Sequence, residues 1–202
     1  VAAARPGNLA VIAGITSEST YVAIKRTEDA ANAGADAVMM APPRGTTAGP
    51  ALLAHYRAVA EATHLPVVVQ DEPVTTGVKL PGPFFAELAA VDGIVAAKVE
   101  EVPSPQKISA IRQAAPDLAC FGGLGGVSFY EELNRGAVGI MTGFGYPKIL
   151  VDIYQAFTAG DTARARAIFH QYLPIIRFEA QLGVGGVTIR KGLYRERGII
   201  AD

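Results

Sequence analysis

The stretch Gly93-Ile94-Val95-Ala96-Ala97-Lys98-Val99-Glu100 lies near the middle of the 202-residue chain. Its apolar run, its β-branched start and the Asp-Gly turn before it are typical of a buried parallel strand, yet a lysine stands inside it. Because side chains alternate between the two faces of a strand, Lys98 and Glu100 share one face, with their Cα atoms roughly 6 to 7 Å apart. The pattern therefore predicts one ammonium and one carboxylate in the same buried space.

Two interpretations of Lys98 are open from these residues alone. A lysine that loses its hydration favours the neutral amine, which is a nucleophile toward a carbonyl carbon. Alternatively, Lys98 ends an ordinary strand and reaches water, while Glu100 begins a loop. The pattern of the remaining sequence bears on the choice.

The composition indicates one globular domain. Of the residues, 50% are hydrophobic and 18% are charged, and the mean hydropathy is +0.27, but no run of about 18 apolar residues occurs. The chain has a net charge of -1 and a pI of about 6.4, so it is not basic as proteins that bind nucleic acid or an anionic membrane surface are. Cys120 is the only cysteine and residues 1–5 show no signal-peptide pattern, so we predict a cytoplasmic protein without disulfides.

Strand and helix patterns alternate along the chain at a spacing of roughly 25 residues. Apolar strands are predicted at residues 9–14, 37–41, 66–70, 94–98, 119–122 and 138–142. Amphipathic helices follow them at residues 19–33, 50–62, 83–90, 105–115, 128–135 and 147–159. This alternation requires a parallel sheet covered by helices.

An open doubly wound sheet and a closed barrel both fit the alternation. Polar residues stand where strands end, at Gln70, at Lys98 with Glu100, and at Thr142. In a barrel these ends converge on one mouth, where active sites lie, whereas in an open sheet only the ends at the switch point meet. We therefore predict an α/β fold, a (β/α)8 TIM barrel of which this chain covers about six βα units, the third to the eighth.

The predicted domain organisation follows from the same count. Residues 1–160 form the barrel, and because the chain opens without a methionine and in mid-pattern, the first two strands are expected upstream of Val1. Residues 161–202 carry two more helical patterns, at 162–180 and 188–197, and are predicted to be appended C-terminal helices of the same domain. Glu179 and Arg190 in this tail are expected to be surface charges.

Several short stretches occur in a characteristic order. They are Val11-Ile12-Ala13-Gly14-Ile15-Thr16-Ser17-Glu18-Ser19-Thr20, Ala33-Gly34-Ala35-Asp36-Ala37, Leu65-Pro66-Val67-Val68-Val69, Val95-Ala96-Ala97-Lys98, Arg135-Gly136-Ala137-Val138-Gly139 and Ala159-Gly160-Asp161. In order and spacing the chain resembles the dihydrodipicolinate synthase and N-acetylneuraminate lyase family of class I, Schiff-base barrels. The resemblance implies that Lys98 is the Schiff-base lysine on the sixth barrel strand. It also implies a small 2-keto acid substrate, no cofactor, and a homo-oligomer, either a dimer or a tetramer.

The chain departs from the family pattern at two strand ends. Synthases and sialic acid lyases of the family carry a proton-relaying tyrosine at the end of the fifth strand, where this chain reads Gln70-Asp71-Glu72-Pro73. An amide cannot replace a phenol as acid or base, because it does not ionise in the working range. The aromatic pair that follows the fourth-strand proline of the synthases is also absent, since Pro43 and Arg44 follow Pro42. The Gln-Asp-x-Pro and Lys-x-Glu stretches are more similar to the branch that dehydrates 2-keto-3-deoxy sugar acids.

The chemistry expected for this branch assigns roles to specific residues. Neutral Lys98 attacks the C2 ketone, and the resulting imine acidifies C3. Glu100 is the predicted catalytic acid or base, because it shares the strand face with Lys98, and Glu72 is ranked below it. Substrate contacts are predicted at Gln70 and, in the loops after the last two strands, at Gly122, Gly123 and Thr142. Loss of the C4 hydroxyl makes the protein a dehydratase, and cleavage between C3 and C4 makes it an aldolase.

Other functions are compatible with parts of the sequence. Condensation of pyruvate with an aldehyde would follow the synthases of the family. The glycine-rich loops after the last two strands resemble phosphate-binding loops of other barrels, although they contain no basic residue. A barrel that binds a keto acid without turning it over is a third alternative. His55, His64 and His170 lack metal-ligand spacing and are predicted to be solvated or to cap helices, and Cys120 is predicted to be a core residue.

Overall fold

The computed structural model of the protein describes residue 7, residues 9–181 and residues 183–201. The chain divides into two compact units, Val1–Phe121 and Gly122–Asp202. The predicted division into a barrel at 1–160 and a helical tail at 161–202 stays a prediction. Residues 1–5, where a signal-peptide pattern is missing from the sequence, lie outside the described residues.

The first unit contains a parallel sheet whose strands pair in chain order. The strands are β1 (Ile12–Gly14), β2 (Ala37–Met40), β3 (Val67–Asp71), β4 (Ile94–Val99) and β5 (Ala119–Gly122), whose last residue belongs to the second unit. Their helices are α1 (Thr20–Asn32), α2 (Pro50–Glu61), α3 (Pro73–Thr76), α4 (Gly82–Ala89) and α5 (Ser104–Ala114). Val38, Val67, Val69 and Ala97 are fully buried, which agrees with strands covered by helices.

Local signals set the helix ends of the first unit. The Ser19 side chain accepts a hydrogen bond from Val22 N and caps α1, as its position before an amphipathic pattern predicts. The short helix α3 was not predicted. Glu72 caps its start, and Gly77 ends it in the left-handed region at φ 72°, which suits glycine. Four residues are too few for a helical period to show in the sequence.

The second unit is mainly helical. It contains α6 (Phe129–Asn134), β6 (Gly139–Ile140), α7 (Pro147–Thr158), α8 (Thr162–Ala180) and α9 (Gly186–Glu196). Beside β6, Met141 N donates a 3.0 Å hydrogen bond to Gly122 O at the end of β5. The helices enclose a core that includes Phe129, Phe144, Ile153, Phe169 and Ile176. Strand β6 is shorter than the predicted 138–142.

Two expectations about polar side chains are wrong. Glu179 is not a surface charge, because its side chain is 2% exposed and forms an ion pair with Arg190. His55 is not solvated, because it lies buried in α2 with Nδ1 2.8 Å from Thr20 Oγ1, and burial lowers its pKa. Cys120 is buried as predicted, and burial raises the pKa of its thiol to about 11. Within the described part of the chain, no helix combines the length and apolar character needed to cross a membrane.

Candidate active site

The C-terminal ends of β3 and β4 bring three predicted site residues together. Gln70 lies directly opposite Lys98 in the sheet register. The Gln70 side chain donates a 2.7 Å hydrogen bond from Nε2 to Glu100 Oε2. Lys98 Nζ lies 2.9 Å from the same oxygen. The carboxylate of Glu100 therefore joins an amide from one strand to an amine from the next.

The register that produces this cluster depends on an irregularity in β4. Val67 pairs with Ile94, but the next residue, Val68, pairs with Ala96, so β4 holds one extra residue at Val95. Beyond it the pairs continue in step, from Val69 with Ala97 to Asp71 with Val99. A one-residue slip would turn Lys98 to the other face of the sheet, so the bulge determines which side chains meet.

The cluster is partly shielded from solvent. The side chains of Lys98 and Glu100 are 13% and 11% exposed. Water screens such a pair less than it screens a surface pair, and a proton can pass directly between the amine and the carboxylate across 2.9 Å. Glu100 N also donates a 2.8 Å hydrogen bond to Asp71 O, which holds the carboxylate-bearing residue against β3. The arrangement can supply a nucleophilic amine with an adjacent acid or base.

A cavity of about 480 Å³ adjoins Gln70 at this end of the sheet. Most of the residues in its wall carry a hydroxyl or a charged group, and they are Thr16, Ser17, Ser19, Thr75, Thr76, Glu18, Arg26, Arg44 and Glu72. Such a wall offers both donors and acceptors, and it suits a ligand with several hydroxyl groups better than an apolar one. The sequence pointed to Gln70 and Glu72 but missed the rest, because hydroxyl side chains in loops carry no distinctive local signal.

Internal contacts orient the charged groups of the cavity wall. Arg44 N donates a 2.6 Å hydrogen bond to Glu18 Oε2, and Arg44 Nε lies 3.9 Å from Glu18 Oε1. Arg26 donates to the carbonyl oxygen of Thr16. Glu72 accepts from Thr75 N at 3.0 Å and from the Thr75 hydroxyl, so its carboxylate caps α3. Since Glu72 has this structural task, Glu100 is better placed to act on a group bound at Lys98.

The other predicted substrate contacts lie in the second unit. Thr142 Oγ1 accepts a 2.7 Å hydrogen bond from Gly125 N. A Cβ at Gly122 would lie 1.8 Å from Glu132 Oε2, so any side chain there would require the Glu132 carboxylate to move. Gly123 precedes the 3-10 turn Leu124–Gly126. Contact of Gly122, Gly123 and Thr142 with a substrate stays a prediction.

Metal binding finds no support in the described side chains. Across residues 7, 9–181 and 183–201, no three His, Cys, Asp or Glu residues are grouped closely enough to hold a metal ion.

Comparison with known proteins shows the family to which the chain belongs. The family model described as the dihydrodipicolinate synthetase family matches residues 1–195. The chain belongs to this family. The resemblance drawn from the sequence is thereby confirmed.

Relatives within the dihydrodipicolinate synthetase family carry different names. A 4-hydroxy-tetrahydrodipicolinate synthase of Corynebacterium aurimucosum is 34% identical over 199 residues, covering 96% of this chain and 64% of the relative. An L-2-keto-3-deoxyarabonate dehydratase of Azospirillum brasilense is 30% identical over 203 residues, covering 97% and 65%. This chain thus spans slightly less than two thirds of the length of these relatives.

A solved family structure shows the fold. The crystal structure of dihydrodipicolinate synthase from Rhodopseudomonas palustris matches with a TM-score of 0.86 and 30% identity, over 95% of this chain and 66% of that one. The predicted α/β fold class is confirmed. Six βα units of a TIM-barrel fold are present, followed by C-terminal helices.

Proposed function

We propose that this protein is a Schiff-base-forming lyase that dehydrates a 2-keto-3-deoxy sugar acid. The observation that carries the proposal is the convergence of Lys98, Glu100 and Gln70 at distances of 2.7 and 2.9 Å. An amine with an adjacent carboxylate can activate the ketone of a 2-keto acid by forming a Schiff base. Small-molecule binding, a homo-oligomeric state and a cytoplasmic location are further expectations for the whole protein.

The first half of the reaction forms the imine. Transfer of a proton from the Lys98 ammonium to Glu100 leaves a neutral amine, which attacks the C2 ketone. The carbinolamine loses its hydroxyl group as water, taking a proton from Glu100, and a protonated imine remains. Its positive charge acidifies the C3 hydrogen, and the regenerated Glu100 carboxylate removes that proton to give an enamine.

The second half expels water from the sugar acid. The nitrogen lone pair of the enamine re-forms the imine, the C2–C3 double-bond electrons move to the C3–C4 bond, and the C4 hydroxyl group leaves as water with the proton now on Glu100. Hydrolysis of the unsaturated imine then releases the product and restores the Lys98 amine. The net change is the loss of one water from the substrate, and no external oxidant or reductant is needed.

The residues around the cluster support dehydration over condensation. Gln70 stands at the strand end where a phenol would relay protons in a synthase, and its amide donates a hydrogen bond but does not ionise. The adjoining cavity of about 480 Å³ is lined by hydroxyl and charged groups that match a polyhydroxylated chain. The similarity to the Azospirillum brasilense dehydratase agrees with this choice.

Condensation of pyruvate with an aldehyde is the second candidate. It is favoured by the 34% identity to a 4-hydroxy-tetrahydrodipicolinate synthase. The same imine would form at Lys98, but the enamine would attack an aldehyde in place of expelling a hydroxyl group. The two candidates differ in the second substrate and are separated by product analysis.

Borohydride trapping tests the proposal. The protein is incubated with 2-keto-3-deoxypentonate, 2-keto-3-deoxyhexonate or pyruvate, reduced, and mapped by peptide mass. We expect the ligand mass on the peptide that contains Lys98, and a product lighter than the sugar acid by one water. Lys98→Ala should lose both signals, since no amine remains at the site. Lys25→Ala is the matched control, because Lys25 forms an exposed pair with Glu28 on α1 and should keep both.

Each failure has a separate meaning in this experiment. Absence of any adduct with all three ligands would refute the Schiff-base function. An adduct with pyruvate and consumption of an added aldehyde, without loss of water from the sugar acids, would indicate the synthase. An adduct without turnover would indicate a binding protein. Stabilisation of the protein against unfolding by inorganic phosphate, without an adduct, would indicate a phosphate-binding barrel.

A further inference from the structure

A second group of charges lies behind the ends of β3 and β4. It consists of Asp71, Glu101 and Lys107, and we call it the rear triad. Lys107 Nζ lies 3.4 Å from Asp71 Oδ2 and forms an ion pair with Glu101 Oε2 at hydrogen-bonding distance. The same ammonium donates to the carbonyl oxygen of Leu80. It therefore connects three segments of the first unit.

The rear triad is largely buried, with Glu101 and Lys107 at the wall of a cavity of about 580 Å³. The Asp71 side chain is fully buried, and those of Lys107 and Glu101 are 12% and 19% exposed. Neither oxygen of the Asp71 carboxylate accepts a hydrogen bond from the described residues, so Lys107 is its charge partner through the 3.4 Å contact alone. Lys107 Nζ lies over the Phe85 ring, 5.6 Å from its centroid, at the distance of a cation–π contact. A buried carboxylate with so few partners is costly for folding, which makes a purely stabilising role a poor explanation.

Each carboxylate of the rear triad neighbours a residue of the candidate active site. Asp71 follows Gln70 in β3, and Glu101 follows Glu100 beyond β4. Since neighbouring side chains of a strand point to opposite faces, Asp71 faces away from Gln70 toward the helices. Lys107 reaches it from α5. One ammonium on the helix side thus holds both strand ends whose front sides carry Gln70 and Glu100.

The backbone between the two strand ends completes the connection. Glu100 N donates to Asp71 O at 2.8 Å, and this bond lies directly between the front contacts and the rear triad. A shift of either strand end would change the 2.7 Å contact of Gln70 with Glu100 and the 2.9 Å contact of Lys98 with Glu100 together. Catalytic groups lose much of their effect when displaced by about 1 Å.

We propose that Lys107 is a positioning residue that aligns Gln70 and Glu100 with Lys98 by binding Asp71 and Glu101 from the opposite face of the sheet. The proposal rests on the proposed function, because alignment matters only if these groups act on one substrate. Lys107 does not touch the substrate. Its effect passes through the two strand ends, and it should alter the rate of the chemical steps more than substrate binding.

Paired substitutions separate alignment from stability. Lys107→Met alone leaves Asp71 without its charge partner, so the effect of this single substitution on activity would mix alignment with stability. In the double variant Asp71→Asn with Lys107→Met, both buried charges are absent, and such double replacements are often tolerated. We expect this variant to fold with a thermal midpoint near that of the native protein, while kcat falls about 10- to 100-fold and KM changes less than about threefold.

Two further variants provide matched controls. Lys148→Met with Asp152→Asn removes an exposed lysine and carboxylate pair from α7 in the same way, and it should leave kcat, KM and the thermal midpoint unchanged. Lys107→Arg keeps the positive charge and should therefore retain a higher kcat than the double variant Asp71→Asn with Lys107→Met. The rate of borohydride trapping at Lys98 at fixed pH and pyruvate concentration is measured in parallel. It should fall in the rear-triad double variant and not in the α7 control.

The outcomes distinguish this inference from the proposed function. If native protein forms the Lys98 adduct and the rear-triad double variant folds and turns over at the native rate, the positioning role is wrong while the lyase stands. If the double variant unfolds but Asp71→Asn alone is folded and fully active, the charges serve stability only and the positioning role is again wrong. If native protein forms no adduct, the lyase itself is refuted.

Discussion

Two shielded ion pairs, one in each unit, show how similar charges are built for different tasks. In the second unit, Arg190 Nε lies 2.6 Å from Glu179 Oε1, and Gly145 N donates to Glu179 Oε2 at 2.8 Å. Both oxygens of this carboxylate are engaged, and its side chain is 2% exposed. In the first unit, Lys98 and Gln70 both approach Oε2 of Glu100, beside a polar cavity.

The choice of cation follows the same division. Arginine stays charged in proteins and bonds through a planar, rigid group, which suits a permanent structural contact. Lysine can release its proton when it is shielded, which suits a nucleophile. The ion pair of Glu179 with Arg190 helps to hold the Phe144-Gly145 segment in place. Tyr194 and Arg197 hold the same segment by donating hydrogen bonds to the carbonyl oxygens of Phe144 and Gly145, respectively. From this difference we expect that substitution of Glu179 lowers the stability of the protein, whereas substitution of Glu100 lowers the rate of the reaction.

Substitution of Glu100 should give the largest effect. Glu100→Gln keeps the size of the side chain but removes the acid or base, and we expect turnover of the sugar acid to fall about 10²- to 10⁴-fold. The free energy of unfolding should change little, because the amide oxygen that replaces the carboxylate can still accept a hydrogen bond from Lys98. Initial-rate assays and urea unfolding measure the two quantities. Native turnover by this variant would remove Glu100 from the mechanism.

The same substitution at Glu179 should produce the opposite result. Glu179→Gln leaves Arg190 without its carboxylate, and because arginine cannot become neutral, we expect unfolding to become easier by about 3 kcal/mol. Urea unfolding of the variant beside Glu100→Gln gives the matched comparison. A loss of stability no greater than that of Glu100→Gln would break the distinction between the two pairs.

The smallest expected change, counted per pH unit, is in the free energy of unfolding and comes from the titration of Asp71 in the rear triad. Burial raises the pKa of its carboxyl from 3.8 to about 7, an effect that the Lys107 charge partly offsets. Between these values the folded protein holds a proton that the unfolded chain releases. The contribution of Asp71 to stability is therefore present at low pH and is lost as pH rises toward 7, by at most about 1.4 kcal/mol per pH unit.

Asp71→Asn should remove this dependence. The stability of native protein relative to the variant is expected to fall between about pH 4 and pH 7 and to stay level above that range. Urea unfolding at a series of pH values measures the difference, and Asp152→Asn, which changes an exposed carboxylate, is the control. Equal pH dependence in native protein and Asp71→Asn would show that Asp71 does not titrate in this way.

Much of the fold could be predicted because its signals are local. Alternating apolar runs and helical periods placed β4 at 94–98, where the structure has Ile94–Val99, and α5 at 105–115, where it has Ser104–Ala114. The period of two put Lys98 and Glu100 on one face, and the structure has them 2.9 Å apart. Gln70 was predicted from its place at a strand end, and it contacts Glu100.

The sequence by itself determined the α/β class and the set of polar groups at the ends of β3 and β4, because these depend on residues close together in the chain. It determined the family through the order and spacing of short stretches along the chain. Only the tertiary structure decided which of these groups meet. The bulge at Val95 sets Gln70 opposite Lys98, Lys107 reaches Asp71 from a helix, and Arg190 reaches Glu179 from the next helix. A charged residue in a helix has the same local pattern whether it is solvated or buried, since its burial depends on what packs against it.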